Sequence, residues 1–290
     1  MKYREDFCIF ILSANRPDKN YTWNTVKKYN YSGKVYVVVG TDDKQLERYK
    51  EVYKDNLIIF DKEDYKGKFD KMDNFDNKNY VVYPRNACFD IAKKMKFKYF
   101  IAFDDDYTAF SYKFLKNLEY KHNSIKQYDI GILEFIFDEM IKLLETNENI
   151  LTVAMAQCGD FMGGKEGVFA SKIFLKRKAM NSFLCKTERK FEFIGSFNED
   201  VNMYLHYGSL GKLAFTFNII ALSQQSTQKT KGGLTEVYLE QGTFVKSFYS
   251  VMLNPSAVKI MTLGITDKRI HHKILWKYVT PKLLDPKYKK

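Results

Sequence analysis

Three consecutive carboxylates, Asp104, Asp105 and Asp106, directly follow an apolar run at residues 99–103 that has the length of a buried strand. Adjacent carboxylates repel one another, and ligands of parallel α/β sheets bind at the carboxyl ends of the strands. Oxygen ligands of this kind favour Mg²⁺ or Mn²⁺, which takes one or two carboxylates and completes its shell with water and phosphate oxygens. The triplet therefore predicts a divalent-cation site. The alternative is a solvated acidic turn that caps the next helix.

A second polar group follows the first apolar run, residues 7–12, and consists of Ser13, Asn15 and Arg16 before Pro17. An arginine in this position suits a nucleotide phosphate, because its planar guanidinium binds phosphate through parallel hydrogen bonds. The loop has neither the GxGxxG nor the GxxxxGK[ST] pattern, which argues against a dinucleotide oxidoreductase and a P-loop enzyme. We expect the loop to bind a nucleotide. The alternative is an ordinary turn set by the proline.

Two further candidate sites lie at the starts of predicted helices, one at Arg85 and one at Glu199 and Asp200. Arg85 begins a stretch, residues 85–96, in which the apolar positions have helical spacing. Helix N-termini favour anions, so Arg85 predicts a contact with a pyrophosphate. Glu199 and Asp200 follow a glycine turn and precede the helical stretch 201–207. Either carboxylate has the chemistry of a general base toward an acceptor hydroxyl, and the alternative is a pair of helix N-terminal acids.

A pair of histidines, His271 and His272, lies in the basic C-terminal stretch. Adjacent side chains point in different directions, so at most one of the two would join a given metal shell. A phosphate contact and a surface pair are the alternatives, and the sequence does not choose between them.

Strand and helix patterns alternate in the first half of the chain. The apolar runs that lack strict alternation are residues 7–12, 35–39, 57–60 and 99–103. Such runs are typical of parallel strands that helices cover on both faces. Beyond a predicted helix at 133–145, predicted strands alternate with basic turns at residues 151–156, 172–175 and 213–218. We predict one α/β domain with a doubly wound, mostly parallel sheet, a nucleotide-binding lobe at 1–130 and a mixed α+β acceptor lobe at 131–290. The charged residues 61–79 predict a mobile surface loop.

The net charge of the chain is positive and regional. Its 290 residues include 47 Lys and Arg against 35 Asp and Glu, which gives +12. Residues 165–190 contain eight basic and two acidic residues, and residues 256–290 contain nine and two. Localised positive charge favours a polyanionic partner, either nucleic acid or an anionic membrane surface. A general enrichment in solubilising lysine is the alternative.

The apolar segments and the cysteines of the sequence indicate the cellular compartment. No apolar segment approaches the ~18–20 residues of a membrane span, and the first apolar run is too short and too acidic at its start for a secretory signal. The four cysteines form no CxxC pair, and we interpret all of them as reduced core thiols: Cys8, Cys88, Cys158 and Cys185. We therefore expect a cytoplasmic protein without a membrane partner.

Four motifs make the chain resemble the GT-A glycosyltransferases, and they occur in that family's order: Ser13-Ala-Asn-Arg-Pro17, Arg85-Asn86, Phe103-Asp-Asp-Asp-Tyr107 and Asn198-Glu-Asp-Val201. Residues 231–249 and Arg269-Ile-His-His272 are more closely similar to the TET-associated glycosyltransferases. Members of that family occur largely in bacteriophages and attach sugars to hydroxymethylated pyrimidines of DNA. The resemblance extends over residues 7–282.

The resemblance implies an Mn²⁺- or Mg²⁺-dependent transfer of a sugar from a nucleotide diphosphate sugar, expected to be a UDP-sugar, to a hydroxymethylated pyrimidine in phage DNA. For a phage-encoded enzyme the compartment is the host cytoplasm. The metal ligands would be Asp104 and Asp106, and His271 or His272 would complete the shell. The residues that would hold the nucleotide sugar are Ser13, Asn15, Arg16, Arg85, Asp104 and Asp105.

The same resemblance makes Asp200 the general base, with Glu199 as the competing candidate, and a base in that role implies an inverting displacement. The residues expected to contact DNA are Lys176, Arg177, Lys178, Lys231, Arg269 and His272. Two other functions are compatible with the residues. One is transfer to a lipid-linked or surface glycan, with residues 270–284 on an anionic membrane, although Pro281 interrupts that stretch. The other is a DNA-binding module on a catalytically dead scaffold.

Overall fold

A computed structural model describes residues 4–126, 131–171, 175–225, 242, 244–263 and 269–279. The strands are β1 (Phe7–Leu12), β2 (Lys34–Gly40), β3 (Leu57–Phe60), β4 (Tyr99–Asp104), β5 (Tyr107–Phe114), β6 (Tyr120–Lys126), β7 (Ile150–Gln157), β8 (Leu175–Lys176), β9 (Ser182–Lys186), β10 (Leu213–Gln224), β11 (Val258–Leu263) and β12 (Arg269–Ile274). The α-helices are α1 (Tyr21–Lys28), α2 (Leu46–Tyr53), α3 (Val82–Lys94), α4 (Ile132–Glu145), α5 (Val168–Ser171), α6 (Glu199–Ser209) and α7 (Val245–Leu253).

The main sheet combines strands from both halves of the sequence. Its strand order is β3-β2-β1-β4-β9-β7-β10-β5-β6, and β8 pairs with β10. Among the described residues, seven of these ten strands run in one direction, and β5, β8 and β9 run against them. A separate antiparallel hairpin consists of β11 and β12. The predicted mostly parallel α/β sheet is therefore confirmed.

Helices cover both faces of the sheet because successive strand residues point to opposite sides. On β1, Ile9 packs in the same cluster as residues of α1, α2 and α4, whereas Phe10 packs in the cluster that contains residues of α3, α6 and α7. Both side chains are fully buried. The continuous apolar run of β1 thus fills two cores, and its last residue leads directly to the edge of the sheet that carries the polar residues.

Helix α3 begins three residues earlier than the sequence predicts. Its first residue is Val82, so Pro84 and Arg85 both lie inside the first turns. Proline is tolerated there because the first N–H groups of a helix have no intrahelical partner. Arg85 consequently projects from the body of the helix into the protein.

Strands β5, β6 and β9 and the β11–β12 hairpin have no counterpart among the predicted elements. Strand β5 begins one residue after the carboxylate triplet, at Tyr107, and pairs with β10. The predicted strand at 172–175 is observed only as β8, and residues 172–174 lie outside the described residues.

Residues 61–79 form a loop, as predicted, but this loop is packed onto the protein. Tyr65 and Phe69 are buried in the core. The backbone N–H groups of Gly195 and Ser196 donate to the carbonyls of Asp70 and Lys71, over 2.8 and 2.9 Å. The loop therefore supports the turn that leads into α6.

The cysteine prediction holds for three of the four thiols. Cys8, Cys88 and Cys185 are buried, whereas Cys158 is exposed. Cys158 follows the end of β7, where the chain leaves the sheet in a short 3₁₀ turn. Among the described residues, no helix combines the length and the apolar character that crossing a membrane requires.

Candidate active site at the carboxyl edge of the sheet

Strand pairing brings the first two polar motifs together. Leu12 at the end of β1 pairs with Asp104 at the end of the parallel strand β4. Ser13 and Asp105 therefore both lie just beyond the same edge of the sheet, where α/β proteins bind their ligands.

Asp105 is the anchor of the loop that follows β1. Its carboxylate is almost fully buried and accepts a hydrogen bond from Ser13 Oγ at 2.5 Å. Arg16 binds the same carboxylate with two nitrogens, Nε at 2.9 Å and Nη2 at 2.8 Å. Burial raises the pKa of Asp105 to about 6, and Arg16 and Ser13 oppose that shift. These contacts give Asp105, Ser13 and Arg16 a shared structural function.

Asn15 occupies a left-handed conformation in the same loop, with φ at 58°. Its backbone N–H donates to Asp43 Oδ2 at 2.7 Å, and its carbonyl accepts from Gln45 Nε2 at 2.6 Å. Its side-chain Oδ1 is buried and has no hydrogen-bond partner among the described residues. A buried acceptor without a donor is costly, so this oxygen is suited to receive an N–H or O–H group from a ligand.

Arg85 connects the carboxylate triplet to the start of α6. Its side chain is only 3% exposed and donates from Nε to Glu199 Oε1 at 2.8 Å and from Nη2 to Asp104 Oδ1 at 3.1 Å. The guanidinium lies over the rings of Phe183 and Phe193, at 4.6 and 5.7 Å from their centroids. Nε and Nη2 are thus engaged with protein carboxylates, whereas the buried Nη1 has no hydrogen-bond partner among the described residues, and the pyrophosphate contact of Arg85 stays a prediction.

The two acids at the N-terminus of α6 are both buried. Burial raises the pKa of Glu199 to about 7, although the charge of Arg85 lowers it. Burial also raises the pKa of Asp200, again against the effect of Arg85. Asp200 Oδ1 accepts from the backbone N–H of Val201 at 2.8 Å. The negative charge of Asp104 raises the pKa of both carboxyls. Asp104 therefore lies close enough to Glu199 and Asp200 to repel their negative charges.

Asp106 has the properties expected of a cation ligand. Its Oδ1 is buried and has no hydrogen-bond partner among the described residues. Burial, followed by the charges of Asp104 and Asp105, raises the pKa of Asp106 to about 7. Within the described part of the chain, no three His, Cys, Asp or Glu side chains form a ready-made metal cluster. Asp104 and Asp106 are a two-carboxylate donor set, which fits Mg²⁺ or Mn²⁺ bound jointly with phosphate oxygens.

Of the two histidines, His272 contacts the turn before α6. Asn198, the residue that precedes Glu199, has its Nδ2 at 3.2 Å from His272 Nδ1. An amide nitrogen only donates, so Nδ1 is the acceptor and carries no proton in this contact. Burial, reinforced by His271, Lys246 and Lys178, lowers the pKa of His272 to about 4. The ring of His271 packs beside that of His272, with centroids 4.2 Å apart.

Of the six side chains predicted to bind DNA, the structure describes three, those of Arg177, Lys178 and His272. Lys178 Nζ is 2.5 Å from Asp160 Oδ1, and this aspartate side chain is buried, so Lys178 contributes to an internal ion pair. Arg177 lies near Gly208 of α6. Lys231 and the side chains of Lys176 and Arg269 lie outside the described residues.

Several residues that hold the site have no signature in the sequence. Thr22 of α1 donates from Oγ1 to the carbonyl of Asp104 at 2.6 Å and accepts from the N–H of Tyr107 at 2.9 Å. The hydroxyl of Tyr107 accepts from the N–H of Asp104 at 3.1 Å. Tyr49 OH lies 2.7 Å from Ser13 Oγ. Apart from the contact between Asp104 and Tyr107, these contacts join residues distant in the sequence, and only the position of Tyr107 directly after the triplet is a usable signal.

Comparison with known proteins identifies the family. The family model described as TET-Associated Glycosyltransferase matches residues 7–233. A comparison with proteins of curated function finds no match.

Solved structures that are similar to this chain over most of its length include glucosyl-3-phosphoglycerate synthase from Mycobacterium tuberculosis. In complex with Mg²⁺ and UDP it is 10% identical, with 92% of this chain and 87% of that chain covered and a TM-score of 0.46. In complex with Mn²⁺ and UDP-glucose the identity is 9%, the coverage 94% and 90%, and the TM-score 0.47. CMP:2-keto-3-deoxy-manno-octonic acid synthetase with CTP is 10% identical, covers 86% of this chain and 99% of its own, and has a TM-score of 0.39. Because the family match spans well over half of the sequence, this chain belongs to the TET-associated glycosyltransferases, and it is a glycosyltransferase with a mostly parallel α/β sheet.

Proposed function

We propose that this chain transfers a sugar from a nucleotide diphosphate sugar, with a divalent cation, to the hydroxymethyl group of a modified pyrimidine in phage DNA. One observation carries this proposal: the buried Arg85 bridges Asp104, which we propose as a cation ligand, and Glu199, the neighbour of the proposed base Asp200. The bridge supports the proposal because it joins the carboxylate triplet to the start of α6, where Asp200 directly follows Glu199.

On the donor side, Asp104 and Asp106 would hold Mn²⁺ or Mg²⁺. When bound, the cation supplies charge neutralisation for the departing diphosphate. The two histidines of which one is predicted to complete the shell, His271 and His272, lie side by side on β12. Asn15 would offer its buried Oδ1 to the nucleotide, and the Asp105–Arg16 pair would hold the loop in the conformation that presents it.

On the acceptor side, Asp200 would take the proton of the attacking hydroxyl, which corresponds to a single inverting displacement. Glu199 accepts from Arg85 at 2.8 Å, and that contact favours a positioning role for Glu199 and leaves Asp200 as the base. A carboxyl whose pKa is raised by burial is a stronger proton acceptor than an exposed one. Within this proposal the donor lobe is residues 1–130 and the acceptor lobe is residues 131–290.

The choice of DNA as acceptor is supported by the family and by charge. Residues 256–290 contain nine basic and two acidic residues, and the β11–β12 hairpin lies within this stretch. The hairpin reaches the start of α6 through His272 and Asn198. A polyanion bound along the hairpin would thus come close to Asp200.

Mass spectrometry of nucleosides tests the proposal. Duplex DNA that contains 5-hydroxymethylated pyrimidines is incubated with the protein, Mn²⁺ and a panel of nucleotide sugars, then digested and analysed. We expect a hexose or pentose mass on the hydroxymethylated nucleoside alone, lost with chelator and in Asp106→Ala. Unmodified DNA is the matched substrate control. Donor hydrolysis without any modified nucleoside would contradict DNA as acceptor, and absence of both activities would favour a catalytically dead module.

A further inference from the structure

The outer face of helix α7 exposes three large apolar side chains. Phe244 directly precedes the helix, and Phe248 and Met252 follow at intervals of four residues, a spacing that places all three on one face. Their exposed fractions are 48%, 43% and 58%. The two phenylalanine rings contact each other, with centroids 6.4 Å apart and planes at 89°. We call these three residues the α7 face.

The inner side of α7 is attached to the candidate catalytic helix. Asn198 Nδ2 donates to the carbonyl of Lys246 at 2.8 Å, and Ser250 Oγ donates to Asn202 Oδ1 at 2.9 Å. Tyr249 OH donates to Asp73 Oδ2 at 2.7 Å. The α7 face is therefore held in a defined position, one helix away from Glu199 and Asp200.

Basic residues outnumber acidic ones in the part of the sequence that contains α7 and the β11–β12 hairpin. Residues 242–279 contain six Lys and Arg and one acidic residue, Asp267. On the hairpin that packs against α7, Lys259 pairs directly opposite Lys273, and both side chains are exposed. Like charges at directly opposed positions of a hairpin destabilise it, and a bound anion relieves that repulsion.

Exposed aromatic rings beside lysines are the combination that binds single-stranded nucleic acid, because the rings stack on bases and the lysines follow the phosphates. A helix that lies on a membrane has a polar face rich in Lys and Arg, whereas α7 contains one charged residue, Lys246. We propose that the α7 face stacks on unpaired bases of the acceptor DNA next to the modified nucleotide. This inference rests on the proposed DNA acceptor and extends it to a preference for single-stranded or locally opened DNA.

Fluorescence anisotropy at low salt tests the inference. The probes are a labelled 20-nucleotide unmodified single strand, the same strand with abasic sites throughout, and the corresponding duplex. The variants are Phe244→Ala/Phe248→Ala and Phe244→Trp/Phe248→Trp. The control is Phe135→Ala, because Phe135 is similarly exposed, at 46%, on the distant helix α4.

We expect the wild-type protein to bind the strand with bases more tightly than the abasic strand. The double alanine variant should lose at least about tenfold in affinity for the base-containing strand, with little change on the abasic strand. The tryptophan variant and Phe135→Ala should bind like wild type. Equal loss on both strands, or no loss, would overturn the inference. A loss confined to co-sedimentation with anionic liposomes would overturn it in favour of a membrane surface. The nucleoside assay on hydroxymethylated duplex DNA decides the proposed function separately.

Discussion

Arg85 is a charged residue in an aromatic environment, and its side chain is almost completely buried. Burying a lone guanidinium is unfavourable, and here two carboxylates compensate it. Removing one member of such a buried group leaves an uncompensated charge. The residue therefore determines both the stability of the site and the alignment of Asp104 with Glu199.

For Arg85→Gln we expect a loss of about 3–5 kcal/mol in the free energy of unfolding at pH 8, the cost of breaking a buried ion pair. The loss should shrink toward pH 5. Without the guanidinium, the carboxyls keep folded-state pKa values above their unfolded ones, so their ionisation destabilises the fold increasingly as the pH rises.

Urea unfolding at the two pH values measures this loss. Arg85→Lys, which keeps the charge, is the matched control and should be less destabilised. An Arg85→Lys protein of wild-type stability that fails to bind UDP would instead support the predicted pyrophosphate contact.

Asp200→Asn should bind donor normally and lose most transfer activity, because the amide keeps the shape of the side chain and cannot accept the proton. Glu199→Gln should retain more activity, because Glu199 is held by Arg85. Steady-state transfer rates and calorimetric donor affinities distinguish the two. If Glu199→Gln is inactive while Asp200→Asn turns over, the base is Glu199, and activity in both variants would leave the inverting mechanism without support.

The lowered pKa of His272 predicts that the stability of the protein depends on pH. Its pKa is lowered to about 4 in the folded protein from an ordinary value of 6.5, so the unfolded chain binds more protons between these values. The stabilisation from a neutral His272 is therefore complete above about pH 6.5 and declines as the pH falls toward 4.

We expect a contribution of roughly 1–3 kcal/mol, reduced from the full shift because the ring is partly exposed. His272→Asn should remove it, which unfolding curves between pH 4.5 and 7.5 would detect. Parallel pH profiles for the wild-type protein and the variant would contradict the prediction.

At the scale of elements, the start of α6 depends on one residue in an unusual conformation. Asn198 has φ at 51° and caps no backbone N–H with its side chain. Instead its amide reaches Lys246 and Ser250 of α7 and His272 of β12. This residue thus joins three elements around the candidate base.

Comparing Asn198→Gly with Asn198→Ala separates the two roles of Asn198. Both variants lose the amide contacts, at about 1 kcal/mol for each hydrogen bond. Alanine additionally occupies the left-handed conformation, which costs roughly 1–2 kcal/mol, whereas glycine does so without strain. We therefore expect Asn198→Ala to unfold at lower urea concentration than Asn198→Gly. Equal midpoints would mean that the turn relaxes and that its conformation is not imposed by the surrounding contacts.

At the scale of the whole molecule, pairs of exposed lysines occur in two different parts of the fold. Lys259 and Lys273 face each other on the β11–β12 hairpin. Lys93 and Lys94, also exposed, end helix α3 on the side from which β4 starts. The two pairs have equal charge, and the hairpin that carries Lys259 and Lys273 also carries His272, which contacts the turn before α6.

We expect Lys259→Gln/Lys273→Gln to weaken DNA binding and to reduce the slope of log affinity against log salt by about 0.7 for each phosphate contact on a single strand. Lys93→Gln/Lys94→Gln should leave affinity and slope unchanged. Anisotropy across a salt series measures both. Equal effects of the two pairs would mean that net charge, and not the hairpin, attracts the DNA. Lys178 is unsuitable for this test, because its replacement would remove the positive charge that compensates the buried carboxylate of Asp160.

The sequence by itself determined the features that depend on local pattern. Continuous apolar runs predicted β1, β2, β3 and β4. For β1 and for the first five residues of β4 the reason is burial on both faces, which needs apolar side chains at every position. The positions of Ser13, Asp104 and Glu199 at the ends of elements followed from the same pattern. Strand β5 was not predicted because it begins directly after the acidic turn. Its pairing partner β10 is distant in the sequence, so no local pattern indicates the pairing.

Only the tertiary structure decided how the polar residues are connected. Arg85 and Glu199 are 114 positions apart, and no local pattern reveals that one guanidinium bridges Glu199 and Asp104. The same holds for Lys178. Its basic neighbours in the sequence predicted a contact with DNA, whereas in the structure it forms an ion pair with the buried side chain of Asp160. Secondary structure follows from interactions within a few residues, whereas buried charges are stable only beside a compensating charge, and the fold of the whole chain determines where that partner lies.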